Sequence, residues 1–174
     1  SFKNKDDDYI SNVYTRIFNN SLLEGGRWFK AGILNMSNKG TKDRLRITID
    51  DNSICEIDFD CLHISLLADE LGVGEKYDTD VYYMILEKHQ YSAANRTLCK
   101  MGVNMCLNAK SLLSAYGAID KFISKYPKGT FCFANGKDLV YAIKHKLTDF
   151  SSLFCNKQST GLRLQNKDSW IAHH

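Results

Sequence analysis

Glu56, Asp58 and Asp60 alternate along the segment Ile54-Cys-Glu-Ile-Asp-Phe-Asp60, and His63 follows three residues later. A strand repeats its side-chain direction every second residue, so these carboxylates share one face while Cys55, Ile57 and Phe59 share the other. Like charges so close repel one another, and hard divalent cations in front of the face would relieve that repulsion. Asp58 and its neighbours are therefore candidate ligands for a divalent cation, although a solvated acidic strand face accounts for the same pattern. A second pair, Arg96 and Lys100, stands one helical turn apart. That spacing lets a guanidinium and an ammonium reach the oxygens of one polyphosphate, and it also occurs on helices that simply face water.

The chain that must position these groups has 174 residues, 44% of them hydrophobic and 25% charged. These values are ordinary for one globular core and exclude disordered, collagen-like and coiled-coil chains. No apolar run reaches the roughly 18 residues of a membrane span, and Ser1 to Asp8 has no apolar signal core, so the expectation is a cytoplasmic protein with no membrane partner. The net charge of +3 permits nucleic-acid contact without demonstrating it. Six cysteines show no C-x-x-C spacing, which favours buried thiols over zinc or disulfides. Pro127 is the only proline, which predicts long uninterrupted elements.

Ile10, Val13, Tyr14, Ile17 and Phe18 recur at helical spacing after Asp6-Asp7-Asp8 and predict an N-terminal helix within residues 1–21. Gly25-Gly26-Arg27-Trp28-Phe29 reads either as backbone held close to something flat or charged, or as a hairpin turn with Trp28 in the core. Leu45, Ile47 and Ile49 alternate up to Asp50, and Asp51-Asn52 offers a turn into Ile54 to Asp60. From Cys61 the period becomes helical until Gly72. Further helices are predicted over 81–89, 92–117, 139–147 and 162–174, with a short strand at Thr130 to Phe133. In the long 92–117 helix, Leu98, Met101, Met105 and Leu112 form the apolar face, and Arg96, Lys100, Asn104 and Asn108 form a polar stripe. The fold class is α/β (α+β), a small antiparallel sheet packed by helices.

Taken in order, these pieces resemble the palm and fingers of family A DNA polymerases and the related single-subunit phage RNA polymerases. Gly25-Gly26-Arg27 resembles the family's Thr/Ser-Gly-Arg segment, Ile33-Leu34-Asn35 its Leu-Gln-Asn stretch, and Arg44-Leu-Arg-Ile47 its arginine-rich strand. Asp58-Phe-Asp-Cys-Leu-His63 resembles motif A, with His63 where the DNA polymerases carry glutamate. Asp80-Val81-Tyr82 falls where the family has Asp-Ile-His. Arg96-Thr-Leu-Cys-Lys100 resembles motif B, with Asn104 and Asn108 in place of the family's aromatic residues. Gly161 to Asp168 resembles the glutamine-bearing helix before motif C, and nothing after it corresponds to motif C itself.

The resemblance implies that residues 22–174 form a palm and fingers domain, with the palm-like sheet around 44–60 and the 92–117 helix in the fingers. The implied activity is magnesium-dependent, template-directed nucleotidyl transfer in the replication of a phage or mobile element. Asp58 would bind magnesium in a two-metal site, and Arg96 and Lys100 would neutralise the nucleoside triphosphate. His63 and Asn104 would contact the substrate, and Arg27, Arg44 and Gln165 would contact DNA or RNA template and primer. Without a motif C carboxylate, the 174-residue chain is expected to bind nucleic acid but to incorporate nucleotides poorly. Two alternatives stay open: a non-catalytic nucleic-acid-binding module, and a metal-dependent phosphoesterase built on Asp58, Asp60 and His63.

Overall fold

The computed structural model describes residues 2–3, 15–29, 47–53, 60–157 and 160–171. The chain is α+β, and it divides into two compact units: Ser1–Phe59 with Gln165–His174, and Asp60–Leu164.

In the first unit, strands β1 (Phe2–Lys3), β4 (Thr48–Ile49) and β5 (Asn52–Ser53) form an antiparallel sheet in the order β1-β4-β5, while β2 (Thr15–Phe18) pairs with β3 (Gly25–Phe29). The expected hairpin between β4 and β5 is present, but its turn is Asp50-Asp51, one residue earlier than the sequence suggested. A tight two-residue hairpin turn needs positive φ at both central positions, and aspartate tolerates it; φ is 49° at Asp50 and 63° at Asp51. The continuation through residues 54–59, with Glu56 and Asp58, lies outside the described residues.

Thr15–Phe18 is a strand, where the apolar spacing had predicted the end of a helix; residues 4–14 lie outside the described residues. The spacing misled because Ile17 faces water, at 50% exposure, and Arg16 is the residue held inward. Its Nε donates to Gly26 O at 2.9 Å and its Nη2 to Ser169 Oγ at 2.6 Å. Its guanidinium also lies 4.9, 5.2 and 5.0 Å from the ring centres of Phe18, Trp28 and Trp170. A hairpin is present, but its turn spans Asn19 to Glu24; the glycine pair lies in β3 with its backbone close to the Phe18 ring and the Arg16 guanidinium, and Trp28 is half-buried rather than in the core. Gly25 and Gly26 take φ of 77° and 83° across an irregularity in the β2–β3 register, and a Cβ on Gly26 would come within 2.7 Å of the Phe18 ring.

The second unit is helical: α1 (Leu62–Glu70), α2 (Val81–Met84), α3 (Ala93–Asn108), α4 (Leu112–Ile123), α5 (Gly136–Lys146) and the start of α6 (Thr160–Ile171), which crosses the division between the units. Helix α1 ends at Gly72 as expected, with φ of 67° there and Val73 N donating to Ala68 O at 2.8 Å. The segment 81–89 is one helical turn followed by a 3-10 turn at Lys88–Gln90, because Glu87 is extended and forms a capping box with Gln90. The segment 92–117 is two helices rather than one. Ser111 accepts from Ser114 N and starts a new helix three residues after α3 ends. Thr130 to Phe133 is a bend, not a strand, and Cys132 N there donates to the Asn95 side chain at 2.9 Å. Side-chain caps at Asp80, Ser92, Ser111 and Asn135 thus divide the chain, so the lack of proline did not lengthen its elements.

Helices α3, α4 and α5 pack on one another around Leu98, Val103, Ile119, Leu139 and Ile143, all buried. The buried face of α3 runs through Leu98, Gly102 and Cys106, with Met101 and Met105 half-buried at its edge and Leu112 exposed on α4. Glycines mark the closest approaches. A Cβ at Gly102 would meet Leu139 at 2.7 Å, and one at Gly136 would meet Tyr116 O at 2.5 Å. Cys99 and Cys106 are buried, Cys61 and Cys155 are half-buried and Cys132 is exposed; all five are free thiols, so burial holds for some of the cysteines only.

Candidate functional site

The start of α1, the cap of α2 and the first turn of α3 converge on Arg96. Asp80 caps α2 by accepting from Tyr82 N at 3.0 Å through Oδ1, which leaves Oδ2 for the Arg96 Nε at 2.5 Å. On the other side, Arg96 Nη2 reaches Asp60 Oδ1 at 3.5 Å. The two carboxylates differ in character: the Asp60 side chain is 91% exposed and Asp80 30%. Asp80 is thus a fixed anchor, and Asp60 is a loose, wet contact.

Beneath the guanidinium lies Tyr82, its ring centre 5.3 Å from the Arg96 Cζ. Tyr82 is buried and its hydroxyl is hydrogen-bonded to the Cys61 thiol. Burial is the main reason that both groups titrate above their ordinary values, with the Cys61 contact adding to the rise at Tyr82. Both stay neutral at physiological pH. Arg96 is raised as well, which for a base means that it is held further into its charged form, first by the hydrogen bond to Asp80. Cys61 also makes the turn into α1, at φ 54°, with its carbonyl accepting from Ile64 N and Ser65 N at 2.8 and 3.1 Å.

Along α3, Lys100 is exposed one turn beyond Arg96, and Asn104 is half-buried one turn further, so the polar stripe is present at these positions. Its last member serves structure: Asn108 Nδ2 donates to Asn104 O at 2.8 Å, and its carboxamide is where a Cβ on Gly161 would fall. His63 is half-buried on α1. Arg27, exposed on β3 opposite Ile17, and Gln165, half-buried on α6, both belong to the first unit. Asp58 and Arg44 lie outside the described residues.

The residues that sequence reasoning undervalued are Asp80, Tyr82 and Asp60. An aspartate directly before a helical run is a cap signal, and it was legible at Asp80. Its second oxygen's bond to a residue 16 positions away was not. Among the described residues, no group of three or more histidines, cysteines or acids is arranged to hold a metal ion. The two carboxylates nearest Arg96 are both engaged by it, and Asp58 lies outside the described residues.

No family model, curated protein or solved structure matches the chain. No helix among the described residues is long and apolar enough to cross a membrane.

Proposed function

We propose that the chain is a polymerase-like nucleotidyltransferase domain that takes a nucleoside triphosphate, as its magnesium complex, at Arg96 and Lys100. The observation that carries this reading is the two-sided environment of Arg96: Nε anchored by Asp80, and the opposite edge meeting, among the described residues, the highly exposed Asp60 at 3.5 Å. A guanidinium has five N–H donors in a rigid fork, so fixing Nε orients the remaining donors without consuming them. A phosphate oxygen can displace the loose Asp60 contact, while Lys100 one turn on supplies a second cation.

The same contact supports the family resemblance, because it brings the motif B-like arginine to Asp60, two residues after Asp58 in the motif A-like segment. In the resemblance Asp58 is a magnesium ligand, and the cation would offset the negative charge shared by the carboxylates and the triphosphate. Arg96 and Lys100 bind and orient the phosphates, and the neutral, buried Tyr82 supports the guanidinium from below. Asp60 and Asp80 balance Arg96 and Lys100 in formal charge, so a bare polyphosphate gains little here and the magnesium complex is the preferred ligand.

The test is a titration of a fluorescent nucleoside triphosphate with and without magnesium. Binding that requires magnesium and weakens about tenfold or more in Arg96→Ala is expected, the loss of one charge-assisted phosphate contact. Equal affinity in the variant, or no binding, overturns the proposal. Hydrolysis of the nucleotide without a primer would instead identify a phosphoesterase.

A further inference from the structure

On the second unit, α4 and α5 border a cleft of about 420 Å³ whose rim carries Lys137, Tyr141, Lys144 and His145 of α5 together with Tyr116 of α4. Residues three and four apart share a helix face, which places Lys137, Tyr141, Lys144 and His145 along one side of α5 while Val140 and Ile143 turn into the core. Tyr141 is 72% exposed, an unusual position for so large a ring. It is stacked on His145 one turn later, with ring centres 6.1 Å apart and planes inclined by 20°. The two nearly parallel rings together form an exposed aromatic shelf.

The charges around the shelf are mainly positive. Neither Lys137 nor Lys144 forms an ion pair with a carboxylate among the described residues. Asp138, the one acid on the rim, is engaged by the Asn135 side chain at 2.8 Å in the first turn of α5. Lys146, by contrast, is satisfied by Glu87 at 3.0 Å and contributes nothing to the rim.

From this arrangement we infer that the Tyr141–His145 shelf, flanked by Lys137 and Lys144, is a binding site for single-stranded nucleic acid, separate from the Arg96 site. An exposed aromatic face with unpaired cations on either side suits a polymer that alternates flat rings and phosphates. A duplex keeps its bases stacked internally and cannot lay one on the shelf, and an acidic peptide would use the lysines but leave the rings idle. The inference rests on the reading that the protein handles nucleic acid, and it adds where an unpaired strand is held.

The test is fluorescence anisotropy of a labelled oligothymidylate at several salt concentrations, with triphosphate binding measured in parallel on the same preparations. Tyr141→Ala is expected to weaken oligonucleotide binding about five- to a hundredfold, the range for removing one stacked base, while Tyr141→Phe keeps wild-type affinity because the ring remains. Lys137→Gln and Lys144→Gln should each reduce the slope of log affinity against log salt by about 0.7. Both Tyr141 variants keep an exposed side chain, and circular dichroism confirms their folding. Oligonucleotide binding unchanged in Tyr141→Ala overturns the shelf, as does equal loss in the Ala and Phe variants or absent binding by the wild type. Triphosphate binding that persists in those cases leaves the Arg96 proposal standing. Polyglutamate that competes as well as the oligonucleotide would show that charge alone is recognised and would also overturn the shelf.

Discussion

Asp80 joins two helices through its two oxygens: Oδ1 accepts from Tyr82 N at the start of α2, and Oδ2 accepts from Arg96 Nε on α3 at 2.5 Å. The guanidinium is therefore aimed from a helix end rather than from a flexible loop. Asp80→Asn keeps a capping oxygen but removes the negative charge from the contact. Triphosphate binding should fall severalfold and stability by about 1–2 kcal/mol, since this charge-assisted bond is only partly shielded from water. Calorimetric titration and thermal melting read the two effects. Arg96→Lys should not restore binding, because an ammonium cannot hold Asp80 with one edge and phosphate with another. Full affinity in either variant would mean that the anchor plays no part in recognition.

The polar stripe of α3 depends on the opposite side of that helix. At Gly102, a Cβ would sit 2.7 Å from Leu139 Cδ2 and 3.0 Å from Ile143 Cδ1 of α5. Gly102→Ala must push the two helices apart or force side chains off their rotamers. Overpacking of this kind costs about 1–3 kcal/mol, more than the gain in helix propensity of about 1 kcal/mol. The melting temperature should fall, by about 2–4 °C per kcal/mol of net loss for a chain of this size. A melting temperature equal to or above wild type would show that α3 and α5 have room to spare.

How far the sequence carried these features depends on the range of the interaction. The helix over 62–70, its glycine stop at Gly72 and the helix predicted over 139–147 and found over 136–146 are local patterns, and each was legible within a dozen residues apart from its exact ends. The break between α3 and α4 was also local, but Ser111 reads equally well as a polar residue on a helix surface until its cap is seen. Arg16 shows the harder case. Nothing near it announces that an arginine will occupy the inner side of a hairpin, because the rings of Trp28 and Trp170 that receive it are distant in sequence. The Arg96 site divides the same way: the Arg-x-x-x-Lys spacing was visible, whereas the partners Asp60 and Asp80 come from elements brought together by packing.

A pH dependence follows from Asp149. Its Oδ2 accepts from Lys76 Nζ at 2.6 Å and from the Tyr77 hydroxyl at 2.7 Å, and these two bonds, the lysine's first, hold its carboxyl below the ordinary value of 3.8. A carboxylate with a depressed native pKa adds stability that is present above its unfolded value and lost as pH falls through the native one. Lys76 is raised above 10.5 by the same contact, so its share is lost only as pH rises through that higher value. The difference in melting temperature between wild type and Asp149→Asn should hold steady from about pH 5 to 9 and shrink as pH falls below the ordinary carboxyl value of 3.8. A difference that grows on acidification would contradict the assignment.

The final prediction concerns the thiols. Cys155 N donates to Cys106 O at 2.7 Å, and the two side chains are hydrogen-bonded to each other. The bond from the Cys106 thiol lowers the pKa of Cys155, with Lys144 acting in the same direction against the opposing effect of burial. Cys106 is itself driven upward by that bond and by burial. Burial also raises Cys61 and Cys132, and pushes Cys99 up to about 12. Alkylation follows the thiolate fraction as well as access, so half-buried Cys155 should react with iodoacetamide near pH 7 ahead of Cys132, although Cys132 is the more exposed. Cys106→Ala removes the donor and should slow labelling of Cys155 severalfold at that pH, with the difference shrinking as pH rises and both forms become thiolate. Peptide mapping by mass spectrometry over a time course decides the order. Labelling of Cys132 first, or a Cys155 rate indifferent to Cys106→Ala, would show that exposure rather than the paired thiol governs reactivity.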